Sequence, residues 1–334
     1  MNRKYIYILF LIALVSVLKY SVNEAEMRGV KDKLNGYIEI VQDFGIQRIN
    51  FATGHVEEIM KKHGDFFVQS FDLSPTGLER VVVFEESGNT PYRLVIMTNQ
   101  RSQRTILSKN FGGYPAFSPD GLNIAYLFHP DDEGRKKWFS DLLLYMTNPT
   151  SKFNRALSVI PCSIGKPSWF PDGQRIAFGS KDLKIYIVDI KGGEAQKVID
   201  FGTCPTVSRN GRQIAFLSND VDEQMKQKIT DFTNITAAEY QDIVKKRDAR
   251  FKDFTKIERS LIEHSIYIYD LDTRKIKKLS GNIFIEQPVI WSPDDKYLLY
   301  NDRGDVANKI FVINVATGET QKVTKETGRI MVWR

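Results

Sequence analysis

Five times along the chain a four-residue turn phrase separates two short apolar runs: Ser74-Pro75-Thr76-Gly77, Ser118-Pro119-Asp120-Gly121, Phe170-Pro171-Asp172-Gly173, Ser208-Arg209-Asn210-Gly211 and Ser292-Pro293-Asp294-Asp295. Pro presets φ for the second position of a type I turn, Asp tolerates the third, and Gly takes the left-handed position that follows. Each phrase therefore marks one β-hairpin. The runs that follow, such as Asn123-Ile-Ala-Tyr-Leu127, Arg175-Ile-Ala-Phe-Gly179 and Lys296-Tyr-Leu-Leu-Tyr300, are rich in β-branched and aromatic residues, as strands are. A hairpin repeated at a regular spacing constrains the fold more than any other feature, because each copy must bury its apolar faces against its neighbours.

The second turn position falls at 75, 119, 171, 209 and 293, so the intervals are 44, 52, 38 and 84. Between Asp220 and Glu263 the pattern turns helical; removing those residues, about 42 of them, leaves a last interval near the ~40–45 residues of one four-stranded propeller blade. Third strands follow at Lys184-Ile-Tyr-Ile-Val-Asp189, Ser265-Ile-Tyr-Ile-Tyr-Asp270 and Lys309-Ile-Phe-Val-Ile-Asn314, and an outer strand at Glu319-Thr-Gln-Lys-Val-Thr324. One further blade is split. Gly36–Val41, Ile46–Gly54 and His55–Met60 read as second, third and fourth strands with no first strand before them. The missing piece is Arg329-Ile-Met-Val-Trp-Arg334, which aligns with Gln287-Pro-Val-Ile-Trp-Ser292 and puts Trp333 in the place of Trp291. Completing one blade from both ends of the chain leaves no unpaired edge at the seam.

The expected fold class is all-β: a six-bladed β-propeller with four-stranded antiparallel blades over residues 36–334, closed by pairing of the N- and C-terminal strands. It carries one helical insertion at 221–262, and an N-terminal hydrophobic segment at 1–25 joined by a linker at 26–35. The phrase Trp/Phe-Ser-Pro-Asp-Gly-x-x-Ile-Ala-Tyr/Phe resembles the repeat of TolB-like propellers, shared with the propeller domains of prolyl oligopeptidase and dipeptidyl peptidase IV relatives. The resemblance covers nearly all of the chain after the N-terminus. It implies the propeller fold but not one activity, since a fold hosts many. In TolB an α/β domain precedes the propeller, for which there is no room before Gly36, and the hydrolase domain of the peptidases is absent from this sequence.

With 42% hydrophobic and 12% aromatic residues the chain has ample material for a core. The net charge of +6 is spread among paired acids and bases, without the dense basic face of a nucleic-acid binder, so no nucleic-acid partner is expected. Asn2, Arg3 and Lys4 precede an apolar run from Tyr5 to Leu18, which reads as a signal peptide or an uncleaved membrane anchor. Either places the propeller outside the cytoplasm, periplasmic or at the cell surface, with membrane contact if the segment is retained. Cys162 and Cys204 precede first strands of adjacent blades; they are either two small buried residues or, if their Cα atoms come within about 7 Å, a disulfide.

Catalytic signatures are sparse. There is no Gly-x-Ser-x-Gly elbow, and the four histidines, at 55, 63, 129 and 264, show no metal-clip spacing, so no cofactor or metal is expected. Asp120, Asp172 and Asp294 sit inside turns, where the carboxylate caps its own backbone, and Asp189 and Asp270 close third strands at equivalent positions. His129-Pro-Asp-Asp-Glu-Gly134 reads as an exposed hairpin tip. The insertion is the one element that repetition does not explain. Thr236-Ala-Ala-Glu239 is a capping box, and Tyr240, Ile243, Val244, Phe251, Phe254 and Leu261 recur near helical spacing opposite Lys245, Lys246, Arg247, Asp248 and Arg250. Nine Lys/Arg balance nine Asp/Glu over Val221–His264. Its apolar stripe either packs on the propeller rim or docks a partner, and its six apolar residues are the candidate partner-binding set.

The function expected from these features is a non-catalytic, cell-envelope scaffold for a protein or peptide partner. The competing readings are a propeller enzyme, lyase or glycan hydrolase, with acids converging from several blades on a channel mouth, and the receptor half of a split peptidase.

Overall fold

The computed structural model describes residues 34–43, 45–61, 66–86, 93–98, 101–108, 111–128, 142–151, 153–163, 165–218, 264–285, 288–302 and 309–334. The proposed helix at 221–262 with its candidate residues Tyr240, Ile243, Val244, Phe251, Phe254 and Leu261, the N-terminal segment 1–25 and the tip at 129–134 lie outside them. Among the described residues no helix is long and apolar enough to cross a membrane.

Six four-stranded antiparallel sheets surround an axis. Blade 1 holds β1 (Tyr37–Gln42), β2 (Gly45–Asn50) and β3 (Val56–Met60). Blade 2 holds β4 (Phe66–Leu73), β5 (Glu79–Glu86), β6 (Arg93–Thr98) and β7 (Arg101–Ser108), and blade 3 holds β8 (Phe111–Phe117), β9 (Ile124–Phe128), β10 (Leu143–Asn148) and β11 (Phe153–Ala156). Blade 4 is β12 (Ser168–Trp169), β13 (Arg175–Gly179), β14 (Ile185–Asp189) and β15 (Gln196–Ile199), and blade 5 is β16 (Thr203–Val207), β17 (Gln213–Ser218), β18 (His264–Asp270) and β19 (Ile276–Ile283). Blade 6 is β20 (Ile290–Trp291), β21 (Tyr297–Asp302), β22 (Lys309–Asn314) and β23 (Thr320–Thr327); the last strand, β24 (Arg329–Trp333), returns to blade 1. The seam is therefore where the sequence places it: β24 pairs with β1 in the order β24-β1-β2-β3. Ile38 faces Trp333 and Val41 faces Arg329 across it. Tyr37 N donates to Arg334 O at 2.7 Å, and Arg334 N donates back to Tyr37 O at 2.9 Å.

Each turn phrase joins a first strand to a second. The amide of the fourth residue donates to the carbonyl of the first, as in Gly121 N to Ser118 O at 2.9 Å and Asp295 N to Ser292 O at 3.1 Å. The third-position side chain caps the turn: Asp120 Oδ1 accepts from Leu122 N at 2.9 Å, and Asp172 Oδ1 from Gln174 N at 2.8 Å. The leading serine has a structural task too. Ser118, Ser208 and Ser292 are buried, and their hydroxyls accept from the amides of Asn123, Gln213 and Tyr297 five residues on. Neighbouring turns stack, which explains the glycine: a Cβ on Gly121 or Gly211, both at positive φ, would sit 3.2 Å from Pro75 Cδ or 2.8 Å from Pro171 Cγ. The Asx residues that end third strands behave alike. Asp189 Oδ1 accepts from Lys191 N, Asp270 Oδ1 from Thr273 N and Asn314 Oδ1 from Ala316 N. Their recurrence is architectural, as the sequence implies.

The recurring Ile-Ala-Tyr/Phe wording follows from packing between blades. In β9, Ile124 and Tyr126 face the blade 2 residues Val81, Val83 and Leu94, whereas Ala125 and Leu127 face Trp169, Ile176 and Phe178 of blade 4. The alanine leaves room for the larger side chains of the next sheet, and both faces of the strand are buried, so it reads as an unbroken apolar run. Second and third strands are tied by stacked cross-strand rings, Phe178 on Tyr186, Phe216 on Tyr267 and Tyr300 on Phe311. Such pairs add about 0.5–1.5 kcal/mol each beyond area burial. Between blades 1 and 2 the core contains charge. Glu39, 0% exposed, takes Arg80 Nε at 3.1 Å and Nη2 at 2.6 Å, while Arg48 Nη2 reaches it at 2.8 Å. Burial pulls the Arg48 pKa down, but the hydrogen bond and charge of Glu39 outweigh it, leaving a net upward shift.

Cys162 and Cys204 are both free and buried, so the disulfide alternative is not realised. They belong to different core clusters, Cys162 between blades 3 and 4 and Cys204 between blades 5 and 6. His55 precedes β3 rather than lying in an outer strand, a shift of one residue at the strand boundary.

Candidate functional site: the channel mouth

The six innermost strands, β24, β4, β8, β12, β16 and β20, enclose a cavity of about 320 Å³ that opens between the stacked turns of Pro75, Pro119, Pro171 and Arg209. An innermost strand has a sheet neighbour on one side only, so its free backbone groups need other partners. Side chains supply them. Trp169 Nε1 donates to Ala116 O at 3.0 Å and Trp291 Nε1 to Thr206 O at 2.8 Å, each tying one first strand to that of the preceding blade. Ser168 Oγ accepts from Val207 N at 2.9 Å, Asp72 Oδ2 from Phe117 N at 2.7 Å, and Thr206 Oγ1 donates to Val289 O at 2.8 Å. Trp333 departs from its counterparts: its indole turns to Asn35 O at 3.1 Å and its ring meets Phe51 edge-on at 5.6 Å.

Four charged side chains line the cavity: Asp72, Lys166, Arg209 and Arg334. Two of them bar the channel. Lys166 of blade 4 reaches past blade 3 to Asp72 of blade 2 at 2.7 Å, and Arg209 Nη2 of blade 5 reaches past blade 6 to Trp333 O of blade 1 at 3.1 Å. Arg334 Nη2 donates to Leu73 O at 2.9 Å and Ser74 O at 3.2 Å. Arg209 is open to channel water yet walled in by protein; this burial, and then the like charge of Arg334, pull its pKa below the usual arginine value.

Arg209 also resolves two departures from the repeat. It stands where other copies have proline, and Asp295 stands where they have glycine, at a left-handed φ of 58°. An arginine keeps the amide that proline lacks. Asp295 Oδ1 accepts from Arg209 N at 2.7 Å and Oδ2 from Asn210 N at 2.8 Å, so the two departures complete one interaction between blades 5 and 6.

Around the cavity, among the described residues, Asp72 is the one side-chain carboxylate, and there is no histidine. Of the four histidines, His55 and His264 belong to outer parts of blades 1 and 5, and the other two lie outside the described residues. No group of three or more His, Cys, Asp or Glu side chains is placed to hold a metal ion among the described residues. Sequence reading does not single out the channel residues, because Asp72 and Lys166 are 94 positions apart and Arg209 and Trp333 are 124 apart. The unusual residues at the turn positions, Arg209 and Asp295, are the available signal.

No protein-family model matches the chain. Over 204 residues it is 24% identical to the "Uncharacterized peptidase YuxL" of Bacillus subtilis (strain 168), covering 56% of this chain and 29% of that protein. Among solved structures, TolB from Acinetobacter baumannii superposes with a TM-score of 0.63 at 13% identity, over 88% of this chain and 65% of TolB. The structure described as a nidogen/laminin complex gives a TM-score of 0.57 at 11% identity, over 88% and 96% of the two chains. The chain thus spans under a third of the peptidase relative and about two thirds of TolB. Six four-stranded blades, closed through β24 and β1 and matched to TolB over nearly the whole described ring, give this chain the TolB-like six-bladed β-propeller fold.

Proposed function

We propose that the protein is a non-catalytic, extracytoplasmic propeller that receives a polypeptide partner at its channel mouth. The observation that carries this reading is the state of Asp72. The one side-chain carboxylate lining the cavity among the described residues already accepts from Phe117 N and Lys166 Nζ, and no second acidic side chain among the described residues lines the cavity with it to form the pair that glycan hydrolysis uses. The surroundings suit recognition: tryptophan, proline and aliphatic side chains form the walls, with a few polar groups to orient a ligand. A partner reading also agrees with the presence of a nidogen/laminin complex among the structural neighbours. The apolar run at Tyr5–Leu18 supports export.

A photo-crosslinking residue at Leu122, on the rim, compared with one at Ile276, on the outer strand β19, tests the reading in envelope preparations. Specific adducts from the rim position alone support it; equal labelling from both positions, or none, removes it. The similarity to YuxL favours one second reading, a receptor working with a separate hydrolase. In that case the rim adduct contains a protein with a serine-hydrolase fold.

A further inference from the structure

The proposal that follows rests on the channel mouth being a polypeptide site, and it names the chemistry of the segment bound there. We infer that Arg209 and Arg334 form a carboxylate-recognition pair, and that the partner segment is acidic, with apolar residues beside its acid resting on Leu78 and Leu122.

The four lining side chains carry three positive charges and one negative, and Lys166 and Asp72 neutralise each other at 2.7 Å. Among the lining side chains the excess positive charge therefore sits on the two arginines, although Asp295, outside the cavity, also acts on Arg209. Among the described residues both guanidinium groups donate to main-chain carbonyls, Arg209 to Trp333 O and Arg334 to Leu73 O and Ser74 O. Each guanidinium has five N–H donors in a planar fork that matches a carboxylate, more than these main-chain bonds use, and both residues line the cavity. Burial first, and the like charge of Arg334 second, hold the Arg209 pKa down, and a bound anion offsets both by favouring the charged guanidinium. An acid bound there faces cationic donors in a site walled by protein, where charge-assisted bonds are stronger than in water.

The rim supplies the second half of the match. Leu78 and Leu122 follow the turns of blades 2 and 3 and are 56% and 60% exposed, whereas the equivalent positions in blades 4, 5 and 6 carry Gln174, Arg212 and Lys296. The two turns touch, Pro75 lying against Gly121, so the exposed leucines follow adjacent turns of the ring. An acidic peptide with flanking leucines fits both features. Nucleic acid fits neither the single arginine pair nor the exposed leucines.

The test uses intrinsic tryptophan fluorescence, since Trp169, Trp291 and Trp333 line the cavity. The probes are the peptide acetyl-Leu-Glu-Glu-Leu-Glu-amide and its Leu-Gln-Gln-Leu-Gln counterpart, titrated into the full chain. The Glu peptide is expected to bind about tenfold or more tightly than the Gln peptide, with an advantage that falls as salt is raised. Arg334→Gln abolishes the preference. Arg209→Lys, which keeps the charge and the turn amide, retains part of it, while Arg209→Gln does not; thermal melts of each variant confirm folding. Equal binding of the two peptides overturns the acidic assignment but leaves the channel mouth as a peptide site. Binding of neither, or tighter binding of an eight-residue oligothymidylate, also overturns it, and the crosslinking yield at Leu122 then reports separately on the broader reading.

Discussion

Replacing Glu39 with glutamine removes the negative charge from a site where water cannot substitute for it. Glu39 is 0% exposed and Arg80 3%, and two hydrogen bonds at 2.6 and 3.1 Å join them across the interface between blades 1 and 2. Arg48 loses a partner as well, but its side chain is 27% accessible and it still has Glu57 at 3.5 Å. The Arg80 side chain, by contrast, is only 4% accessible. Removing one partner of a buried ion pair costs about 3–5 kcal/mol, chiefly the penalty of stranding the other charge. With an unfolding entropy of roughly 0.5 kcal/mol/K for a folded ring of about 220 residues, that is a fall in Tm of about 6–10 °C. Scanning calorimetry with parallel urea titrations measures it. Joining Glu39→Leu to Arg80→Met removes both charges and restores most of the loss, because an apolar pair of similar volume is often as stable as the ions it replaces. A Glu39→Gln variant within about 1 kcal/mol of the parent, or a double variant as unstable as the single one, refutes the stranded-charge argument.

Other expectations follow from the same geometry. Arg209→Pro removes one of the two bonds to Asp295 between blades 5 and 6, Asp295→Gly removes both, and together they restore the repeat; the double-mutant cycle in urea is expected to give a coupling of about 1 kcal/mol, and strict additivity contradicts the shared interaction. Burial pushes the Cys162 thiol up to about 12 and the Cys204 thiol up to about 11, so neither reacts with Ellman's reagent at pH 8 until denaturant is added. The same shifts set an alkaline limit. The unfolded thiols ionise near 9.0 while the folded ones hold their protons, so stability is unaffected below that pH and falls above it by up to about 1.4 kcal/mol per thiol per pH unit until the folded pKa is reached. Chemical denaturation between pH 8 and 11 shows this as a declining midpoint. Trp169→Phe removes the indole bond to Ala116 O and strands that carbonyl, an expected loss of about 1–3 kcal/mol by urea titration, with no change in blade number by scattering.

The ring is legible in the chain because its grammar is local. A turn phrase fixes a hairpin, alternation fixes which strand is which, and the likeness of Arg329–Trp333 to a first strand is enough to place the seam. The site is not legible, since a ring gathers on its axis residues from blades far apart in sequence, and nothing near Lys166 in the chain announces Asp72. Glu39 is hidden differently. In Tyr37-Ile-Glu-Ile-Val it reads as the solvated position of an alternating strand, and only the adjacent sheet, bringing Arg80, turns that face inward. The serines that lead the turn phrases at 74, 118, 208 and 292 read as turn punctuation, yet their hydroxyls accept amides five residues ahead, a pairing that spacing alone does not reveal. Arg209 and Asp295 look like two independent lapses in the repeat, and become one feature once the turns of neighbouring blades are seen to touch.

The pairing of Ile38 with Trp333 spans 295 positions, the difference of the two residue numbers, and it sets an order of assembly. During synthesis β1 to β3 emerge first, yet the strand that protects the inner border of that trio is made last. Blades 2 to 6 can each complete from contiguous chain, while the earliest trio waits with main-chain donors and acceptors bare. Loop closure over such a separation is slow, and the waiting border is a template for pairing with another copy. The interval between the moment the first strand is free to pair and the arrival of the last is thus the stretch of this protein's life in which a holding chaperone matters most.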